Sequence, residues 1–235
     1  MHGGRSFNAE LLSKIQARWQ GVHRAEVAVC PPFVYLQQAA ELLAESNIVL
    51  GAQNLSEYDE GAFTGEVSGQ MLADWQCRYV IIGHNERRRL QGETDQRIAK
   101  KFIAARESEL IPVLCVGESQ QQRDSGNALE TIGRQLNAVI EVAGLESFRR
   151  AVVAYEPVWA VGTGKTATPE QAQDVHRFIR TQLGALGSST RVLYGGSVKP
   201  ANAEQLFAMA DIDGALLGGA SLNADEFIAI CQAAD

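Results

Sequence analysis

Two side chains stand where a buried strand gives way to a loop and carry groups suited to proton transfer. They are His84, in Gly83-His84-Asn85-Glu86-Arg87-Arg88, and Glu156, in Glu156-Pro157-Val158-Trp159. A carboxylate beside Pro157 and Trp159 is partly desolvated, which makes it a better base. An imidazole can give and take a proton near neutral pH. Each also has a duller reading, since a histidine after a strand is more often packed and hydrogen-bonded, and a glutamate more often a surface ion pair. Glycine pairs mark two further strand ends, Gly195-Gly196-Ser197-Val198 and Gly218-Gly219. Glycine usually signals a tight turn. Between a strand and a helix, however, such a turn aims backbone N–H groups and a positive helix end at a phosphate, with no lysine or arginine needed.

Other chemistries are excluded by neighbouring residues of the same sequence. Gly162-Thr163-Gly164-Lys165-Thr166 invites a nucleotide-binding reading, but a P-loop demands glycine where Trp159 stands. No G-x-S-x-G elbow supports a serine hydrolase. Cys30, Cys77, Cys115 and Cys231 lie far apart without a C-x-x-C pair, and the four histidines lack ligand spacing, so reduced thiols, no metal and no cofactor are expected. A net charge of −7 without a Lys/Arg block argues against nucleic acid and anionic membranes as partners. It also means that an anionic substrate needs a local positive field. No apolar run approaches the roughly 18 to 20 residues that span a bilayer. The opening MHGGRSFNAELL reads as neither a secretory signal nor a transit peptide, so the expected location is cytoplasmic.

The elements that must position these residues alternate along the chain. Short runs rich in Val, Ile and Leu read as strands at 26–29, 48–51, 79–82, 111–116, 151–155, 191–194 and 214–217. Their near-continuous apolar character suits parallel strands covered on both faces. Apolar stripes and start signals predict helices over 7–19, 34–45, 94–107, 127–142, 169–183, 203–208 and 224–233. Ser6 is read as the first cap, and Thr168 with Gln171 has capping-box spacing around Pro169. Repeated βα units with no linker between them give one α/β domain over 1–235, either a doubly wound sheet or a closed (β/α)8 barrel. Seven strands favour the barrel, one short of closure.

Taken together, the motifs resemble the triosephosphate isomerase family along essentially the whole chain. The most specific stretch is Ala154-Tyr155-Glu156-Pro157-Val158-Trp159-Ala160-Val161-Gly162-Thr163-Gly164-Lys165. It is supported by Gly51-Ala52-Gln53-Asn54, Gly61-Ala62-Phe63-Thr64-Gly65-Glu66, Cys115-Val116-Gly117-Glu118 and Tyr194-Gly195-Gly196-Ser197-Val198. The resemblance implies a TIM barrel acting on a small phosphorylated triose in glycolysis and gluconeogenesis. It implies Glu156 as the base between adjacent carbons, and a neutral His84 that polarises the carbonyl. A helical turn starting near Asn85 to Arg87 would itself disfavour imidazolium. Gly162, Ser197, Gly218 and Gly219 are implied as phosphate contacts, Pro157 to Ala167 as a lid, and Gln53 to Gly65 as a loop reaching into a second subunit of a homodimer.

Two departures qualify the expectation. Family members carry a first strand ending in Asn-Trp-Lys before the stretch matching Met1-His2-Gly3, where this sequence starts. A polypeptide lacking those residues is expected to turn over several orders below normal, or to serve as a non-catalytic barrel that binds phosphorylated metabolites or proteins. A start at an internal methionine of a longer, active isomerase is the leading expectation. The second departure is Asn85, where the family usually has serine. Asparagine both donates and accepts, so either the hydrogen bonding of His84 or the resting position of Glu156 should differ.

Overall fold

A computed structural model describes residues 1–21, 23–160 and 166–235. Its six strands are β1 (Ala28–Val29), β2 (Val49–Ala52), β3 (Tyr79–Ile82), β4 (Ile111–Val116), β5 (Val152–Tyr155) and β6 (Arg191–Tyr194). They pair in chain order and all in parallel. The seventh expected strand, 214–217, is reduced to one parallel bridge between Ala215 and Tyr194. It still continues the curl, because the Tyr194 N–H donates to the Gly214 carbonyl and the Leu216 N–H to the Tyr194 carbonyl. Among the described residues no ladder joins this segment to β1, so the ring of strands is open on that side.

Alternation along the strands separates two apolar layers. Tyr79, Ile81, Val113, Cys115, Val152 and Ala154 point inward and pack on one another. Their neighbours Val80, Ile82, Leu114, Val153 and Tyr155 point outward into the larger core beneath the helices. This two-sided burial explains why the strands read as unbroken apolar runs.

Helices α1 (Arg5–Arg18), α2 (Leu36–Leu43), α5 (Asp95–Glu107), α7 (Ala128–Ala143), α8 (Pro169–Gln182), α9 (Pro200–Phe207) and α10 (Ala224–Ala233) match the expected ones within a few residues. Thr168 and Gln171 form the foreseen capping box at α8. Ser6 is not a cap, because α1 begins two residues earlier than expected, at Arg5, and Gly4 precedes it. The expected start at Val34 splits into a 3-10 turn, Phe33–Tyr35, and then α2. Three short helices, α3 (Gly69–Asp74), α4 (Asn85–Leu90) and α6 (Gln120–Asp124), fill the βα connections. Helix α3 is capped by Ser68 and α6 by a Ser119/Gln122 capping box. Each is too short to show an apolar period, so only α4 had a foreseen start.

Candidate active site

Because every strand pair is parallel, the carboxyl ends lie on one rim. His84 and Asn85 follow β3, Gly117 and Glu118 follow β4, Glu156 follows β5, and Gly195 to Ser197 follow β6. Gly218 and Gly219 follow the short segment paired with Tyr194, and Gly219 opens a 3-10 turn to Leu222. Gly162 lies outside the described residues, as do Val161 to Lys165 of the expected lid.

The structure brings His84 and Glu156 together, with Nε2 of the imidazole 2.9 Å from Oε1 of the carboxylate. Glu156 is only 2% exposed, so it is desolvated as expected. Asn85 completes its surroundings: the backbone N–H donates to Oε2 at 2.8 Å and the side-chain amide to Oε1 at 2.7 Å. Behind it lies Cys115, whose thiol is pushed well up by burial and by the nearby carboxylate of Glu156. Backbone contacts hold the acid's position, since the Glu156 N–H donates to the Val116 carbonyl at 2.8 Å. A Cβ at Gly195 would stand 2.9 Å from Cγ of Glu156, so the β6 glycine leaves room for this side chain.

His84 caps α4, its Nδ1 accepting the N–H of Glu86 at 3.4 Å. A ring nitrogen that accepts carries no proton, so this contact assigns the hydrogen to Nε2. The imidazole was expected to be disfavoured as a cation by the helix start. The resting geometry corrects this. Burial does work against the charged ring, but the hydrogen bond and charge of Glu156, helped by Glu86, outweigh it and push the His84 pKa up. The larger part of the rise comes from Glu156, and that part acts only while Glu156 stays in contact.

The loop bearing His84 is braced by charge. Arg88 donates to the Gly83 carbonyl at 2.8 Å, to Asp95 at 2.6 Å and to the Cys115 carbonyl at 3.1 Å, tying the ends of β3 and β4 together. One turn further, buried Glu93 accepts from Arg87 at 2.7 Å and from buried Lys101 at 2.6 Å, and Lys101 also donates to Asn54 at 2.7 Å. Burial alone would raise the Glu93 pKa, and the two cations hold it down.

Glu118 is a functional candidate that the sequence marked only as part of a motif. Fully buried, it accepts from Trp159 at 2.7 Å, Arg123 at 3.0 Å and Tyr155 at 3.1 Å. The guanidinium of Arg123 also lies over the Trp159 ring, 4.7 Å from its centroid. The described start of the expected lid, with its 3-10 turn Val158–Ala160, is thereby fastened to the end of β4. A carboxylate directly after a strand and its glycine was the available signal. Among the described residues, no group of His, Cys, Asp and Glu is arranged to hold a metal ion. No described helix is long and apolar enough to cross a membrane.

The family model for triosephosphate isomerase matches residues 1–234. Over 238 aligned residues the chain is 56% identical to the triosephosphate isomerase of Thiobacillus denitrificans, covering all of this chain and 95% of that protein. The corresponding protein of Nitrosococcus oceani is 53% identical over 238 residues, with the same coverage. That of Shewanella denitrificans is 50% identical over 245 residues, covering all of this chain and 94% of that protein.

Proposed function

This chain belongs to the triosephosphate isomerase family, and from that premise we propose that it interconverts dihydroxyacetone phosphate and D-glyceraldehyde 3-phosphate, with Glu156 and His84 as its catalytic pair. The observation that carries the assignment is the 2.9 Å contact between the two side chains on the rim where a parallel barrel builds its sites. A carboxylate stripped of water can take a proton from the carbon beside a carbonyl and return it to the neighbouring carbon. No redox group is needed, because the hydrogen moves within one molecule. The Nε2–H of His84 polarises the carbonyl oxygen and exchanges protons with the two oxygens of the enediolate. Once Glu156 leaves the imidazole for the substrate, its share of the rise in the His84 pKa leaves with it, while burial still works against the charged ring. His84 is then the neutral donor that the step requires.

Ser197, Gly218, Gly219 and Gly162 are proposed to hold the phosphate through backbone N–H groups, with Pro157 to Ala167 closing over it. Support comes from the described ones: Ser197, Gly218 and Gly219 follow strands on the same rim as Glu156, and an added Cβ at Gly218 or Gly219 would meet no atom within 4 Å. The loop from Gln53 to Gly65 is proposed to dock on a second copy. Its exposed Tyr58 and Phe63 stack at 3.9 Å, and Glu57 pairs with Arg97 at 3.0 Å, which gives the loop a preformed shape. The proposed setting is glycolysis and gluconeogenesis in the cytoplasm, without nucleic-acid or membrane partners.

Isomerase activity of the purified chain tests the reading, with Glu156→Asp as control because it withdraws the base by one methylene. We expect interconversion of the two triose phosphates that this change depresses strongly. Turnover indifferent to it would remove Glu156 from its role. Light scattering should give a particle of twice 25.5 kDa, and a monomer would refute the docking loop.

A further inference from the structure

Resting on the isomerase reading above, we propose that Ser221 is a positioning residue for the phosphate of the triose, its hydroxyl pinning the Gly218 carbonyl so that the Gly219 N–H is held toward the anion. Ser221 stands in the 3-10 turn Gly219–Leu222 that follows the segment paired with Tyr194. Its Oγ–H donates to the Gly218 carbonyl at 2.6 Å, and its N–H donates to the same oxygen at 3.0 Å. The Gly218 carbonyl and the Gly219 N–H belong to one trans peptide plane and point to opposite sides of it. Fixing the oxygen therefore fixes the direction of the N–H. The plane turns with ψ of Gly218, here −103°. An added Cβ at either glycine would meet no atom within 4 Å, so side-chain packing does not hold the plane and Ser221 does. Among the described residues neither the Gly218 nor the Gly219 N–H has a hydrogen-bond partner, which leaves both for an anion. The far end of the turn is firm, because the Asn223 side chain accepts the N–H groups of Asp225 at 2.9 Å and Glu226 at 3.2 Å where α10 begins. Any residue at 221 supplies the N–H bond, whereas the second bond requires a hydroxyl on a short side chain. In a chain of net charge −7, a donor already aimed at the phosphate is not reoriented when the substrate binds.

The test compares Ser221→Ala, which deletes the hydroxyl, with Ser221→Thr, which restores it. The first readout needs no turnover: the amide resonances of Gly218 and Gly219 are followed by NMR as inorganic phosphate is added. Both should shift in the wild type. The midpoint should move to roughly fivefold higher phosphate in Ser221→Ala, the worth of about one neutral hydrogen bond, and return to the wild-type value in Ser221→Thr. The second readout sets D-glyceraldehyde 3-phosphate against D-glyceraldehyde, which has the reacting carbons but no phosphate. For Ser221→Ala, kcat/KM should fall by the same roughly fivefold with the phosphorylated substrate and keep its wild-type value with the other. A merely structural serine would lower both alike, and that result overturns the proposal. So does an unchanged phosphate midpoint in Ser221→Ala, or a wild type whose Gly218 and Gly219 amides ignore phosphate. If native spectra show that the alanine form does not fold, Ser221→Cys takes its place, keeping the volume with a weaker donor. A wild type without turnover that still shows the phosphate shifts would sink the isomerase reading and leave Ser221 as the group that aims the Gly219 N–H at a bound phosphate.

Discussion

A Cβ placed on Gly117 would lie 1.9 Å from the carbonyl oxygen of Glu156, so the end of β4 presses on the residue that supplies the base. The peptide at Gly117 is gripped from behind. Gln135 of α7 accepts its N–H at 2.8 Å and donates to its carbonyl at 3.0 Å. Neither partner can retreat easily: one is backbone at a strand end and the other is clamped to a helix. Gly117→Ala is therefore expected to cost about 2 to 3 kcal/mol as overpacking. Displacing Glu156 by up to an ångström should lower kcat on the order of 100-fold. Urea unfolding and steady-state kinetics on the same preparation check both. A variant with wild-type kcat would show that the contact does not position the acid.

The pairing of His84 and Glu156 makes a second expectation specific. His84→Gln preserves a donor of similar reach but cannot exchange protons, so kcat should fall by roughly 10²- to 10⁴-fold, the range for general acid–base groups. His84 packs at the rim and is not part of the core, so the unfolding midpoint should move little. A large loss of stability with modest loss of turnover would mark His84 as a structural cap on α4.

How far the sequence could be read depended on whether a feature was local. The strands at 79–82 and 111–116 are found where their apolar runs place them, because burial on both faces leaves a composition signal in the strand itself. Thr168, Pro169 and Gln171 likewise carry their capping chemistry within four residues. Asn85 was visible as a departure from the family that should touch either His84 or Glu156, but the fold had to supply which, since Glu156 is 71 residues away. Lys101 was hidden for the same reason: it reads as an ordinary polar position of a helix, and only the fold brings Glu93 and Asn54 to it. The His84 pKa is raised, because the hydrogen bond and charge of Glu156, 72 residues away in sequence, and the charge of Glu86 outweigh burial.

The buried ion pair of Lys101 and Glu93 yields a third expectation. Both side chains are fully buried and 2.6 Å apart, and Arg87 shares the same carboxylate oxygen at 2.7 Å. Removing one partner of a buried pair costs about 3 to 5 kcal/mol. Lys101→Met should fall near the lower figure, because Arg87 still balances Glu93. The N–H of Arg87 donates to the His84 carbonyl at 2.9 Å, so kcat should also drop, by less than for His84→Gln. Denaturant midpoints at constant slope measure the first effect. Stability equal to wild type would show that this network adds nothing to the fold.

The last expectation concerns pH and a histidine far from the chemistry. His176 on α8 is fully buried, its ring within about 6 Å of Tyr155 and 6.5 Å of Tyr194. Its Nδ1 lies 3.1 Å from the Asp211 carbonyl, to which it donates as the neutral tautomer. Burial drives its pKa down to about 4 from 6.5. An unfolded chain binds this proton near 6.5, whereas the folded one waits until about 4, so the unfolded state holds more protons between those values. Stability is complete above about 6.5 and is lost as pH falls toward 4, amounting to roughly 3 kcal/mol at 1.36 kcal/mol per unit. The Glu156-linked rise at His84 acts with the opposite sign: its stabilisation is present below 6.5 and fades as pH climbs through the raised value. Comparing His176→Phe with wild type cancels that contribution and those of the carboxylates. The difference in unfolding free energy between the two proteins should therefore change by roughly 3 kcal/mol from pH 7 to pH 4, in favour of the variant at the acid end. A constant difference across that interval would mean that folding leaves the His176 pKa where it stands in the unfolded chain, despite its burial.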